Sequence, residues 1–184
     1  MSTLGLIGVE DGSFRVFQPW QSTLLCAVLI TGDRVNAVRI GRVIVDGQNA
    51  TDVLLRMLVN IRFDALILGG VSFAGFNIIN ATRLHEELGV PVIVYSGEKP
   101  DSQSVLAALK AHFADWEERW TPVERLGVIY SIVTRAGCPP VFFEMVGESR
   151  NWCEEVLRAS AQVTRAPEPV RVAGIVARGL TRSA

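Results

Sequence analysis

The spacing of apolar residues changes partway along the chain. Up to Asp46 the pattern is that of strands. "TLGLIGVE" and "TLLCAVLITG" are continuous apolar runs of strand length, the second ending in a Gly32-Asp33 turn. "RVNAVRIGRVIVD" alternates, with Val35, Ala37, Val43 and Val45 on one parity and Arg34, Asn36 and Arg42 on the other. Short links between these runs predict an antiparallel meander. After Asp46-Gly47 the spacing becomes helical: Val53, Leu54, Met57, Leu58 and Ile61 form one face, with Asn49 as predicted N-cap and Asp52 in the first turn.

Strands and helices then alternate. "DALILGG" reads as a fourth strand, and "NIINATRLHEELG" as a helix with Ile78, Ala81, Leu84 or His85, and Leu88 inward, closed by Gly89. "VPVIVYS" is a fifth strand, followed by the helix "DSQSVLAALKAHF", which Asp101 or Ser102 opens. The order β-β-β-α-β-α-β-α predicts an α/β protein with a ribonuclease-H-like mixed sheet, strands one and four side by side at its centre. This core occupies about residues 1–113 of a single domain spanning 1–184. A C-terminal helical extension, about 114–184, holds helices around "WEERWTPVERL" and "SRNWCEEVLRAS", two apolar runs, and a closing helix begun at Pro167 or Pro169.

Composition narrows the function classes. A chain of 184 residues, 49% hydrophobic, suits one domain with a substantial core. It has no apolar run long enough for a membrane span and no basic, cleavable leader, so no membrane partner and a cytoplasmic location are expected. Cys26, Cys138 and Cys153 are too few and too scattered for a disulfide framework or a zinc site, and two histidines, His85 and His112, do not suggest zinc chemistry. His112 is expected to be a core residue. With a net charge of −1, any nucleic-acid partner needs a local basic surface, for which Arg171, Arg178 and Arg182 on the closing helix are candidates.

The candidate chemistry is acidic. Glu10 and Asp11 end the first strand, and Asp46 ends the third, which runs parallel to the first in a meander. All three are expected at the sheet edge where ligands collect in open α/β folds. Carboxylates gathered there are potential ligands for magnesium or manganese, hard cations that assist phosphodiester cleavage. The alternative is that Asp11-Gly12 and Asp46-Gly47 are simply acidic turns. The glycines of "GGVSFAGFN" are open to two readings: a loop that cradles phosphate, or one that permits tight packing. Lys99, after the fifth strand, is a potential phosphate contact.

Several stretches in order, "GVEDGSF", "VIVDGQNATDVL", "LILGGVSFAGFNII", "LGVPVIVYSGEKPD", "HFADWEERW" and "APEPVRVAGIVARGL", resemble a largely archaeal domain-of-unknown-function family, the ninety-ninth of its series. That family is similar to endonuclease V, a magnesium-dependent nuclease of ribonuclease-H-like fold acting at deaminated bases. The resemblance implies the same fold and a divalent-metal-dependent phosphodiesterase, with Glu10 or Asp11 matching the nuclease's first-strand aspartate. It also shows departures: Gln48 or Asn49 stands where the nuclease has a glutamate, Gly69 where it has a fourth-strand aspartate, and Ser96 where it has a lysine. The alternative function is a non-catalytic module binding nucleic acid, nucleotide or protein on the same fold.

Overall fold

The computed structural model describes residues 4–15 and 21–182; Thr3, the first residue of the first predicted strand, lies outside them. The predicted meander forms β1 (Gly5–Asp11), β2 (Ser22–Thr31) and β3 (Arg34–Ile44). α1 (Ala50–Leu58), β4 (Ala65–Leu68), a small hairpin β5 (Ser72–Phe73) and β6 (Asn77–Ile78), α2 (Ala81–Leu88), β7 (Val92–Ser96) and α3 (Ser102–His112) follow. α4 (Trp116–Glu124), β8 (Tyr130–Ile132), β9 (Val141–Val146), α5 (Arg150–Ser160) and α6 (Glu168–Thr181) complete the described chain.

The main sheet runs β3-β2-β1-β4-β7-β9-β8. β1 pairs antiparallel with β2 and parallel with β4, which makes β1 and β4 the central neighbours the element order predicts. The C-terminal region enters the core as well. β9 pairs antiparallel with β7, β8 extends that edge, and α6 lies along β1 and β2.

Each sheet face has its own core. On one, Ile7, Val9, Leu66, Leu68 and Val94 pack beneath Leu54 of α1 and Leu84 of α2. On the other, Leu6, Ile67, Ile93 and Phe143 pack under α5, and Cys26, Val28 and Ile30 under Ala173 and Ala177 of α6. Burying one such leucine or isoleucine contributes about 2 kcal/mol. α6 approaches closely because its inner face is small: Ala173, Gly174 and Ala177 are buried. Its first turn rests on Gly8, where a Cβ would run into the backbone of Pro169 and Val170.

Three local expectations are corrected. Asn49 does not cap α1 with its side chain, which instead accepts from the Ile44 amide. The helix start is served by buried Asn77, whose Oδ1 accepts from the Ala50 amide at 3.0 Å. The alternation of β3 breaks at a bulge: Ile30 faces Val35 and Leu29 faces Ala37, so Asn36 is extra and Val35 leaves the parity of Ala37. His112 is exposed at the last turn of α3 rather than in the core.

Candidate functional site at the end of the first strand

β1 delivers Glu10 and Asp11 to the carboxyl edge of the parallel strands, where β4 and β7 also end. Successive strand residues leave on opposite faces, and these two acids do so. Glu10 shares the face of Leu6 and α6, with Arg178 Nη1 3.9 Å from its Oε2. Asp11 shares the face of Ile7 and Val9, where its Oδ2 accepts from the Ala74 amide at 2.5 Å.

Glu10 occupies the place that a fourth-strand carboxylate would need. It stands opposite Gly69, the residue after β4, and a Cβ at Gly69 would collide with its carboxyl group. Burial, reinforced by the charge of Asp11, raises the Glu10 pKa from 4.5 to about 7 against the opposing pull of Arg178. Asp11 is also raised, chiefly by burial, with the Ala74 hydrogen bond opposing. Both neighbouring acids are thus held toward the neutral form, chiefly by burial and despite the Arg178 charge.

Asp46 is placed differently. It sits at φ 57°, and its Oδ1 accepts from the Phe76 amide at 2.8 Å while its own amide donates to Ala74. Asp11 and Asp46 therefore grip one segment, Ala74–Phe76, and Gly75 between them has no room for a side chain beside the Asp46 carboxylate. The three carboxylates expected around one cation are not gathered: among the described residues no group of three or more His, Cys, Asp or Glu side chains is placed to hold a metal ion. An Asp46→Asn variant keeps an acceptor for the Phe76 amide, so it is expected to stay within about 0.5 kcal/mol of the parent. Asp46→Ala, which leaves that amide without its partner, is expected to lose about 1–2 kcal/mol. Urea unfolding of both variants checks this.

Two structural residues around the loop were not singled out as such from sequence. Buried Asn77 donates to Ile44 O and Asn49 Oδ1 besides accepting from Ala50. Arg119, buried in α4, donates to the carbonyls of Gly47 and Phe76, pairs with Asp115 at 3.0 Å, and lies over the Phe113 ring. Together they fix the turn after β3 to the glycine-rich loop. "AGFN" is in this respect a packing motif.

The basic residues divide. Arg171 is held by Glu168, and Arg165 by Glu98 and the carbonyls of Gly97 and Pro140. Lys99 and Arg182 are exposed, as is Arg178 beside Glu10. Behind the glycine-rich loop, Glu144 on β9 is buried without a charged neighbour, and burial alone lifts its pKa from 4.5 to about 7. An acid raised on folding favours the native state most below its unfolded pKa and loses that advantage as pH rises through the folded value. The thermal midpoint of Glu144→Gln is therefore expected to gain on that of the parent between about pH 5 and pH 8, by an amount equivalent to about 2–3 kcal/mol. Parallel melts across that range test it.

The chain has relatives. A UPF0215 protein of Methanothermobacter thermautotrophicus is 32% identical over 184 residues, covering 98% of this chain and 89% of the relative. One from Methanosarcina mazei is 33% identical over 180 residues, covering 96% and 90%. A crystal structure of a protein of unknown function from Archaeoglobus fulgidus superimposes with a TM-score of 0.84 at 25% identity, over 96% of this chain and 98% of that one. Ciona intestinalis endonuclease V carrying D234N, in complex with a 23mer DNA containing an inosine followed by a ribo-adenosine, gives a TM-score of 0.65 at 12% identity, over 98% and 86%. That likeness establishes the ribonuclease-H-like fold. A sequence profile described as Endonuclease dU matches residues 2–181, and with relatives of this identity and coverage the chain belongs to the endonuclease dU family.

Proposed function

We propose that this protein hydrolyses phosphodiester bonds in nucleic acid at deoxyuridine, assisted by magnesium or manganese held by Glu10 and Asp11. The family supplies the substrate expectation. The observation that carries the chemistry is the electrostatic state of the β1 end: two adjacent acids, both raised by burial, with one guanidinium at 3.9 Å. A cation placed beside such a pair would favour the ionised forms that burial opposes. Magnesium is commonly bound through one or two carboxylates, with water and substrate phosphate completing its shell; the two acids leave β1 on opposite faces but supply that number of ligands at one strand end. Bound there, a divalent ion supplies Lewis acidity toward a phosphoryl oxygen.

The chain's own residues set the rest of the reaction. Arg178, Arg182 and Lys99 are exposed and take the backbone phosphates. Asp11 and Asp46 hold Ala74–Phe76 so that this loop frames the strand end. Gly69 leaves the space that Glu10 fills, so the acid that β4 lacks is supplied by the longer side chain from β1. Of the three carboxylates considered from sequence, Asp46 thereby becomes a loop anchor.

The divergence of Glu10 and Asp11, and the guanidinium beside Glu10, favour a second reading: a protein that binds nucleic acid at this edge without cutting it. One assay separates the two. The parent protein is incubated with strands containing deoxyuridine, deoxyinosine or only ordinary bases, with manganese, magnesium or EDTA. Metal-dependent cleavage confined to the deoxyuridine strand is expected. Salt-sensitive binding with no cut under either metal would replace the enzyme by the binding protein.

A further inference from the structure

One residue beyond Gly69, the chain turns away from Glu10 and lines a cavity of about 160 Å³. Gly70, Val71 and Ser72 form one side; Val94 and Ser96 of β7 and Glu144 of β9 form the floor. Val105 of α3 and Val123 of α4 also line it. The cavity lies on the face of Val94, the face to which Asp11 also turns.

Its size and polarity are informative together. A cavity of about 150 Å³ in another protein holds one benzene ring, so this one takes a single six-membered ring and is tight for a fused purine. Val71, Val94, Val105 and Val123 offer apolar walls to the faces of a ring. Glu144 is the one charged residue lining the cavity among those described, and no ion pair or hydrogen bond engages its carboxyl there. In its protonated form, which burial favours, that carboxyl presents one acceptor and one donor side by side toward the cavity.

Resting on the function proposed above, we infer that this cavity receives the base of an extruded deoxyuridine, with the Glu144 carboxyl pairing to the ring N3–H and an adjacent carbonyl. Enzymes that recognise a single altered base generally take it out of the stack into such a pocket. The imide edge of uracil is complementary to a carboxylic acid: N3–H donates to the acid's carbonyl, and the acid's O–H donates to the ring oxygen. Glu144 is thus a specificity-determining residue. It is 134 positions from Glu10 in sequence, brought near by the pairing of β9 with β7.

The test is binding in EDTA to short strands that carry deoxyuridine, deoxyinosine or an abasic analogue at one position, for the parent, Glu144→Gln and Glu144→Leu. The parent is expected to bind the deoxyuridine strand about tenfold or more above the other two. Glu144→Gln, whose amide also sets a donor N–H beside an acceptor oxygen, keeps that preference. Glu144→Leu, checked by its thermal midpoint to be folded, binds all three alike. A Glu144→Leu variant that still prefers deoxyuridine, or a parent without that preference, overturns the inference. Cleavage by the parent in manganese is read separately. A parent that cuts at deoxyuridine while Glu144→Leu keeps its preference refutes only the cavity. A Glu144-dependent preference with no cut refutes only the nuclease.

Discussion

Glu10→Gln is expected to lower manganese-dependent cleavage of a deoxyuridine strand by about 10³-fold or more, while strand affinity in EDTA changes less than about threefold. The magnitude follows from losing an anionic ligand of an ion that contributes several kcal/mol to the transition state, each 1.36 kcal/mol being tenfold in rate. The small effect on binding follows because Arg178, Arg182 and Lys99 remain. Stability should move the other way. An ionised Glu10 is held against burial and against Asp11, so its neutral isostere is expected to melt at or above the parent near pH 8. Loss of activity with retained or improved stability is the signature of a group kept for function. A parallel fall in both would mark Glu10 as a fold residue.

The second large effect is structural. Gly8→Ala is expected to destabilise the protein by about 3 kcal/mol or more, a fall in thermal midpoint of roughly 6–12 °C for a chain of this length. The reason lies in the layer spacing. The added Cβ would meet the backbone of Pro169 and Val170, which has no rotamer to change, so the first turn of α6 has to lift from β1. The site would feel it: the far end of the same helix is tied to the turn after β1 by the Thr181 hydroxyl, which accepts from the Ser13 amide, and carries Arg178 to Glu10 between those anchors. Calorimetric melting of the variant is the check; an unchanged midpoint would mean that α6 is not seated as described.

Much of this architecture was legible in the order of apolar runs. Period two giving way to helical spacing after Asp46, and the alternation that follows, predict a central β1 beside β4. The side-by-side pairing of those strands bears this out. Local cap signals were also readable where the partner lies in the next turn: Asp101 accepts from Ser104, and Gly89 adopts φ 69° after α2. What escaped the sequence is long-range. Asn77 serves a helix start 27 residues before it, and Arg119 bonds a carbonyl 72 positions away, and no local pattern announces such a partner. The bulge at Asn36 reversed the inside and outside of one strand end because a single extra residue flips every side chain beyond it. The C-terminal part was expected as an appended helical region, yet β8, β9 and α6 complete the sheet and its cover. Strand pairing between distant segments decides that.

At the site, sequence placed the acids but not their directions. Glu10 and Asp11 were recognised at the strand end, and Gly69 as the position lacking an acid. Alternation alone sends the first two to opposite faces, and this could have been read beforehand from Leu6, Ile7, Gly8 and Val9. The filling of the Gly69 space by Glu10 could not, since it depends on the register between β1 and β4.

The central claim is that the two acids ending β1 hold a catalytic cation, and calorimetric titration of manganese into the parent, Glu10→Gln and Asp11→Asn, with a deoxyuridine strand present, tests it most directly. One ion per chain in the parent, and a loss of affinity of at least tenfold in either variant, is the expected result. Undiminished manganese binding in both variants, or none in the parent even with the strand bound, would contradict it.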